Sequence, residues 1–179
     1  MQGLKKENIT YQGFIFFGLI KVKEEPFVIE YNCRLGDPET EVVIPRLEND
    51  LVELILKMNE GKLNEVTVQH SPKAAGAVMM VSEGYPGDYP KGRVMSGFEK
   101  VKGSLLFHAG TKFENSNTQD TNSKDRVIVT NGGRVIAITS YGDNIKQALE
   151  KSYENAALID YQGKYYRKDI GWEFETLNP

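Results

Sequence analysis

The sequence predicts an α+β protein in two parts, both of which combine helices with antiparallel strands. Three observations support this. Two apolar segments near the N-terminus, separated by a short polar stretch, predict a β-hairpin. Two stretches with a 3.6-residue apolar period predict amphipathic helices. Short β-branched segments bounded by turn residues predict further strands in the second part. The composition shifts near residues 61–73, so we divide the chain into 1–66 and 67–179.

The first part begins with the hairpin. Residues 13–20 form a continuous apolar run rich in aromatic residues, which predicts a strand buried on both faces. Residues 21–26 are a polar turn, and residues 27–32 return as the second strand. Gly18 weakens a strand, so its presence predicts close approach by a neighbouring group or a ligand.

Two helices follow the hairpin. Asp37 is a good N-cap for a short helix, and Pro45 limits that helix to about two turns. The second helix runs from residue 49 or 50 to about residue 60 and ends at Gly61. Its apolar residues lie at i, i+3, i+4 and i+7: Leu51, Leu54, Ile55 and Met58.

The second part consists of short strands and one long helix. Its strand candidates are 74–81, 105–108, 127–130 and 135–139. Asn131-Gly132-Gly133 predicts a hairpin turn, because such turns require positive φ angles. Residues 114–125 form a polar loop. Asp143 is the predicted cap of the last helix, whose buried face contains Ile145, Ala148, Leu149, Ser152, Ala156 and Ile159.

Composition excludes several classes of protein. The chain has 179 residues, a formal net charge of −3 and a pI near 5.5, so it lacks the basic character of a nucleic-acid binder. No apolar run approaches the roughly 20 residues of a membrane helix, and the N-terminus does not resemble a secretory signal. A single cysteine excludes an internal disulfide. These features predict a soluble cytoplasmic protein.

The most informative polar residues lie at the end of the second predicted strand. In an extended segment Val28, Glu30, Asn32 and Arg34 share one face. Carboxylate and amide oxygens suit Mg²⁺ that carries phosphate groups. Arg34 could hold a phosphoryl or carboxylate group. The spacing alone favours the ordinary alternative, a polar strand face that meets water.

Residues 30–41, Glu-Tyr-Asn-Cys-Arg-Leu-Gly-Asp-Pro-Glu-Thr-Glu, resemble the signature of the phosphoribosylamine–glycine ligases, a family of ATP-grasp enzymes. Further segments resemble later landmarks of that family in the same order: Tyr11-Gln12-Gly13, Gly84-Tyr85-Pro86-Gly87, residues 107–111, residues 130–135 and residues 165–171. The resemblance therefore covers nearly the whole chain. It implies the C-terminal portion of an ATP-grasp domain, followed by a small α+β C-terminal domain of mostly antiparallel strands.

The resemblance also implies an activity. Members of the family use ATP to join glycine to 5-phosphoribosylamine through a glycyl phosphate, giving glycinamide ribonucleotide, ADP and phosphate in purine biosynthesis. On the matching positions, Glu30 and Asn32 would bind the Mg²⁺ or Mn²⁺ that bridges the nucleotide phosphates. Arg34 would hold the acyl phosphate or the glycine carboxylate. Asp37 and Glu39 could orient the incoming amine, although helix capping is the favoured explanation for both.

The resemblance covers only the C-terminal portion of the family protein and not its N-terminal part. We therefore expect the chain alone to lack ligase activity and to bind ATP poorly. Two alternatives remain open. A biotin-carboxylase-like ATP-grasp fragment also uses Glu-x-Asn-x-Arg, but that family continues with Leu-Gln-Val-Glu-His, where this chain has Leu-Gly-Asp-Pro-Glu at 35–39. The second alternative is a non-catalytic binding or assembly module. Near the C-terminus, Arg167 and Asp169 are expected to pair with each other rather than to reach a cleft.

Overall fold

The structure is a computed structural model that describes residues 2–115 and 126–175. It divides into two compact units, Met1–Ser71 and Pro72–Pro179. The sequence-based boundary between residues 66 and 67 falls inside the first unit. Each unit combines helices with antiparallel strands, which confirms the predicted α+β class. Within the described residues, no helix is long and apolar enough to cross a membrane.

Within its described residues, the first unit contains a two-stranded ribbon, three α-helices and a 3₁₀ helix at Leu63–Glu65. In chain order its elements are α1 (Gln2–Lys6), β1 (Phe16–Val22), β2 (Glu25–Asn32), α2 (Thr40–Arg46) and α3 (Leu51–Asn59). Strands β1 and β2 pair antiparallel from Phe16↔Asn32 to Val22↔Glu25. The turn is therefore limited to residues 23 and 24, shorter than the predicted segment 21–26.

The prediction that the first strand is buried on both faces is wrong. Phe17 and Leu19 of β1 are 51% and 56% exposed, and Ile29 of β2 is 65% exposed. A sheet face is buried only where another layer packs on it, and the two strands of this ribbon have mainly each other as neighbours. The apolar run shows which faces favour burial but does not supply the layer that covers them.

The start of the short helix also differs from the prediction. Asp37 is not its N-cap: α2 begins at Thr40, and Glu39 occupies the cap position without a side-chain cap bond. The Asp37–Pro38 peptide is cis, and residues 37–39 form a turn in which Thr40 N donates to Gly36 O at 3.1 Å. The helix ends at Arg46 after seven residues, close to the predicted two turns.

Helix α3 forms as predicted. Asp50 is its N-cap, and the Asp50 Oδ1 atom accepts from Val52 N at 2.8 Å and from Glu53 N at 3.1 Å. These bonds satisfy two of the amide groups that a helix start leaves unpaired. Here the cap residue and the apolar period both point to the same boundary, so local sequence is sufficient.

The second unit contains a four-stranded sheet covered by one helix. Its elements are β3 (Ala74–Ser82), β4 (Ser104–His108), β5 (Thr111–Asn115), β6 (Arg126–Thr130), β7 (Arg134–Gly142), α4 (Ile145–Leu158), β8 (Lys164–Tyr165) and α5 (Trp172–Glu175). The sheet order is β4-β7-β3-β8, with antiparallel pairing throughout. Helix α4 packs on β3 and β7. The core between them is built from apolar side chains, among them Val78, Met80, Ile136, Ile138, Ala156 and Ile159.

The predicted hairpin turn at residues 131–133 is wrong. Strand β6 pairs with β5, whereas β7 pairs with β3 and β4, so these residues are a corner between two sheets. The corner lies against the bend between β4 and β5, where a Cβ at Gly110 would lie 2.6 Å from the Cα of Gly132. The glycines are needed for this close approach rather than for positive φ. Of the predicted loop 114–125, residues 114–115 belong to β5 and 116–125 lie outside the described residues.

The cap of α4 lies one residue later than predicted. Asn144, not Asp143, is the N-cap, and its side chain accepts from Gln147 N at 3.0 Å. Gln147 Oε1 in turn accepts from Asp143 N at 3.0 Å. Because Gln147 bonds to the residue before the cap and not to the cap itself, the arrangement resembles a capping box shifted by one residue. The buried face of α4 largely follows the prediction, with Asn155 as an addition.

Asn155 is the centre of a buried polar network beneath α4. Its Nδ2 donates to Ser104 Oγ at 2.7 Å and to Lys102 O at 3.2 Å, while its Oδ1 accepts from Lys102 N at 3.2 Å. Ser104 and Ser140 are 2.6 Å apart through their hydroxyl oxygens, and Ser152 Oγ donates to Ser140 Oγ at 2.9 Å. The network ties the helix to β4 and β7.

We therefore expect Asn155→Ala to destabilise the second unit by about 2 kcal/mol, because it leaves several buried polar groups without partners. Urea unfolding of the chain, followed by circular dichroism, measures this loss. Glu154→Ala is the matched control, since Glu154 is exposed on the same helix. Equal losses in the two variants would contradict the structural role given to Asn155.

Candidate functional site

Glu30 and Asn32 lie side by side at the end of β2. Asn32 Nδ2 donates to Glu30 Oε1 at 2.9 Å. Glu30 is exposed and Asn32 is half-buried, so solutes can reach the pair. The hydrogen bond uses one carboxylate oxygen and the amide nitrogen, which leaves the second carboxylate oxygen and the amide oxygen for a cation.

A β-bulge sets which residues share the face of Glu30. Gly18 pairs with Glu30, but the next residue, Leu19, pairs with Val28, so Ile29 is the extra residue on β2. Directly paired residues share a face, and Gly18 and Leu19, being adjacent on β1, point to different faces. Val28 and Glu30 therefore lie on different faces of the ribbon. The prediction that Val28 joins the polar face is wrong, because the bulge interrupts the strict alternation of the strand.

Arg34 lies beyond the strand. Strand β2 ends at Asn32, and Arg34 follows in a bend, where the alternation of a strand no longer sets the direction of a side chain. Its Nη1 donates to Leu35 O at 2.9 Å, and the side chain is exposed. Arg34 therefore lies outside β2. The alternation of the strand, which predicted that it shares a face with Glu30 and Asn32, does not apply to it.

Tyr11 contacts the residue after the end of β2, although the two are 22 residues apart in the sequence. Its hydroxyl lies 2.7 Å from Phe14 O and 3.1 Å from Cys33 O, so it ties the approach to β1 to the residue between Asn32 and Arg34. In the sequence, Tyr11 stands out only as part of a family landmark. A tyrosine close to a strand end carries no local signal of a contact this distant.

Asp37 and Glu39 lie near the start of α2. Asp37 is exposed in the turn, and capping does not explain it. Glu39 is at the N-cap position, where a negative charge favours the helix dipole. A Cβ at Gly36 would lie 3.0 Å from Glu39 Cδ and 2.8 Å from the Phe16 ring. Because Phe16 pairs with Asn32, Glu39 lies towards the Asn32 end of the ribbon.

The donor set fits a hard divalent cation that brings other ligands with it. Among the described residues, no group of three or more His, Cys, Asp or Glu side chains could hold a metal ion. Glu30 and Asn32 offer two oxygen donors, whereas Mg²⁺ requires about six and usually takes the others from water and phosphate. The pair would suit a cation bound together with a nucleotide better than a resident structural metal.

The second unit contains a separate charged pair. Arg167 Nε and Nη2 donate to the two oxygens of Asp169 at 2.9 and 2.8 Å, a bidentate arrangement. This confirms that the two side chains pair with each other. The hydrogen bond from Arg167 lowers the pKa of Asp169, and the same bond raises the pKa of Arg167.

Comparison with known proteins decides the family. Residues 75–173 match the family profile described as Phosphoribosylglycinamide synthetase, C domain. Residues 1–40 match the profile of the ATP-grasp (A) domain of the same synthetase. The first match alone covers more than half of the chain. The chain belongs to the phosphoribosylglycinamide synthetase family. The residues predicted for the site, from Glu30 to Glu39, all lie in the segment that matches the ATP-grasp domain.

Individual relatives agree with this assignment. A phosphoribosylamine–glycine ligase from Caldanaerobacter subterraneus is 44% identical over 93% of this chain and 38% of its own length. The ligase from Escherichia coli K12 is 42% identical over 96% of this chain and 39% of its own. The crystal structure of the Thermotoga maritima ligase matches with a TM-score of 0.77 and 34% identity, over 94% of this chain and 39% of that one. The chain thus spans about two-fifths of the length of these synthetases.

We expect the carboxyl group of Asp169 to titrate below its ordinary pKa, and Arg167→Gln to raise that pKa. A pKa lowered by folding means that the pair stabilises the chain at neutral pH, and that this contribution is lost as the pH falls through the folded-state value. NMR titration of the Asp169 carboxyl carbon measures the shift. Lys168→Gln removes the same charge from the neighbouring residue and should leave the titration unchanged. An equal effect of both substitutions would contradict a specific hydrogen bond.

Proposed function

We propose that this chain is part of an ATP-dependent ligase that joins glycine to 5-phosphoribosylamine in purine biosynthesis. In this proposal the first unit supplies the cation-binding end of the ATP-grasp domain, and the second unit is the C domain. The observation that carries the proposal is the Glu30–Asn32 pair, which lies in the segment that matches the ATP-grasp domain of the family.

The reaction balances in two steps. A glycine carboxylate oxygen attacks the γ-phosphorus of ATP, the bond to ADP breaks, and glycyl phosphate forms. The amine nitrogen of 5-phosphoribosylamine then attacks the carbonyl carbon, phosphate leaves, and the nitrogen loses a proton. Glycinamide ribonucleotide, ADP and phosphate are the products.

Glu30 and Asn32 would hold Mg²⁺ or Mn²⁺ in this scheme, through the carboxylate and amide oxygens. When bound, such a cation neutralises charge on the nucleotide phosphates. Both residues are anchored on the paired strand β2, so their oxygens are held in place before a ligand arrives. The hydrogen bond between them restricts both side chains further.

The other predicted residues would act on the substrates. Arg34 is exposed, and its Nη1 donates to Leu35 O. Its remaining N–H groups would hold an acyl phosphate or a glycine carboxylate. Asp37 and Glu39 would orient the incoming amine, since carboxylates accept hydrogen bonds from it. The partner that completes the site would be the N-terminal part of the same ligase, and the cytoplasm would be its location.

A chimera tests the proposal. In this hybrid enzyme the chain replaces the matching C-terminal portion of the Escherichia coli ligase, and glycinamide ribonucleotide formation is measured with ATP, glycine and 5-phosphoribosylamine. We expect an active chimera, and we expect Glu30→Gln to lower kcat/KM by about a hundredfold, because a lost charged ligand weakens stabilisation of the phosphate charge.

Glu24→Gln is the matched control. Glu24 is an exposed carboxylate in the turn of the same ribbon, where it pairs with Lys21 at 2.9 Å. Its substitution should leave kcat/KM unchanged. ADP release driven by bicarbonate instead of glycine would favour a biotin-carboxylase-like activity. A folded chimera with no activity towards either substrate would contradict the proposed function.

A further inference from the structure

Gly18 lies directly opposite Glu30 in the ribbon, and the space that a side chain would need there is already filled. A Cβ at Gly18 would lie 2.9 Å from Glu30 Cγ. Real Cβ contacts are essentially never this short, so Glu30 would have to move. The backbone of Gly18 is not left-handed. The glycine is therefore required here for the space that it leaves and not for its conformation.

The bulge at Ile29 works together with this gap. Because Ile29 is the extra residue, Glu30 comes opposite Gly18 while Val28 pairs with Leu19. Bulges redirect side chains and are frequent beside functional sites. In this ribbon the bulge brings Glu30 across from Gly18, the one residue of β1 that has no side chain.

Two contacts then determine where the Glu30 carboxylate lies. Glu30 Cγ lies 2.9 Å from the position that a Cβ at Gly18 would take, and Glu30 Oε1 accepts from Asn32 Nδ2 at 2.9 Å. A methyl group added at Gly18 would occupy the space beside Glu30 Cγ, so this atom would have to move. A shift at Cγ moves the carboxylate, and the distance to Asn32 changes with it.

We propose that Gly18 is a positioning residue for the Glu30–Asn32 pair: its missing side chain lets Glu30 lie across β1 with its carboxylate beside Asn32. A residue of any larger size displaces that carboxylate and weakens the binding of a divalent cation. The cation part rests on the proposed function, whereas the positioning part concerns only the side chains of this chain.

Gly18→Ala in the full 179-residue chain tests the proposal by NMR. In the unmodified chain, NOEs should connect the side-chain amide protons of Asn32 with the Hγ protons of Glu30, because the two groups share a hydrogen bond. In Gly18→Ala these NOEs should disappear. Mn²⁺ affinity should fall by about tenfold, the size of effect typical for residues that orient metal ligands.

Thermal unfolding separates positioning from a merely structural role. Alanine in a strand loses less conformational entropy on folding than glycine, so Gly18→Ala should not lower the melting temperature. Gly3→Ala is the matched control, since a Cβ at Gly3 meets nothing within 4 Å. It should leave both the Asn32 resonances and the Mn²⁺ affinity unchanged.

Unchanged NOEs between the Asn32 side-chain amide and Glu30 in Gly18→Ala would overturn the proposal. If that variant does not fold, the unmodified chain decides: NOEs between the Gly18 Hα protons and the Glu30 Hγ protons are required, and their absence overturns it. If the unmodified chain binds no Mn²⁺, the cation part of this proposal is overturned, while the chimera remains the separate test of the proposed function. The Asn32 amide measurement still decides the role of Gly18 in that case.

Discussion

The register of the β1–β2 ribbon is the constraint on which the candidate site depends. One extra residue at Ile29 decides that Glu30, and not its neighbour, faces Gly18. Glu30 and Asn32 are two residues apart on β2 and share a face, and Glu30 Oε1 accepts from Asn32 Nδ2 at 2.9 Å. In a ribbon with the same turn and no bulge, Gly18 would pair with Ile29, and Glu30 would lie across from Phe17 instead of the glycine.

The second unit depends on a different kind of interaction. Its sheet is held to α4 by an apolar core and by a polar network centred on Asn155, which bonds to the backbone of Lys102 and to Ser104. Buried polar groups of this kind are costly unless they are all satisfied, so the network favours one helix position over others. The glycines at 110 and 132 have a comparable effect, because they let two corners of the chain pass in contact.

The proposed function draws on the two units in different ways. The C domain match gives the family, while the residues with chemistry to offer lie in the short segment from Glu30 to Glu39. The Glu30–Asn32 pair offers two oxygen donors, fewer than Mg²⁺ requires. In the proposed function the remaining ligands would come from water and from a nucleotide.

Local sequence by itself determined β1 to β4, β6 and β7, helix α3 with its cap at Asp50, and the residue types of the site, because propensity, capping and apolar period act over a few neighbouring residues. It did not predict the short strands β5 and β8. Only the tertiary structure decided the bulge at Ile29 and the corner at residues 131–133, whereas the cap at Asn144 is local and was missed by one residue. The bulge and the corner each depend on which backbone groups meet across space. The exposed faces of the ribbon show the same limit, since apolar side chains indicate a tendency to be buried and not the layer that buries them.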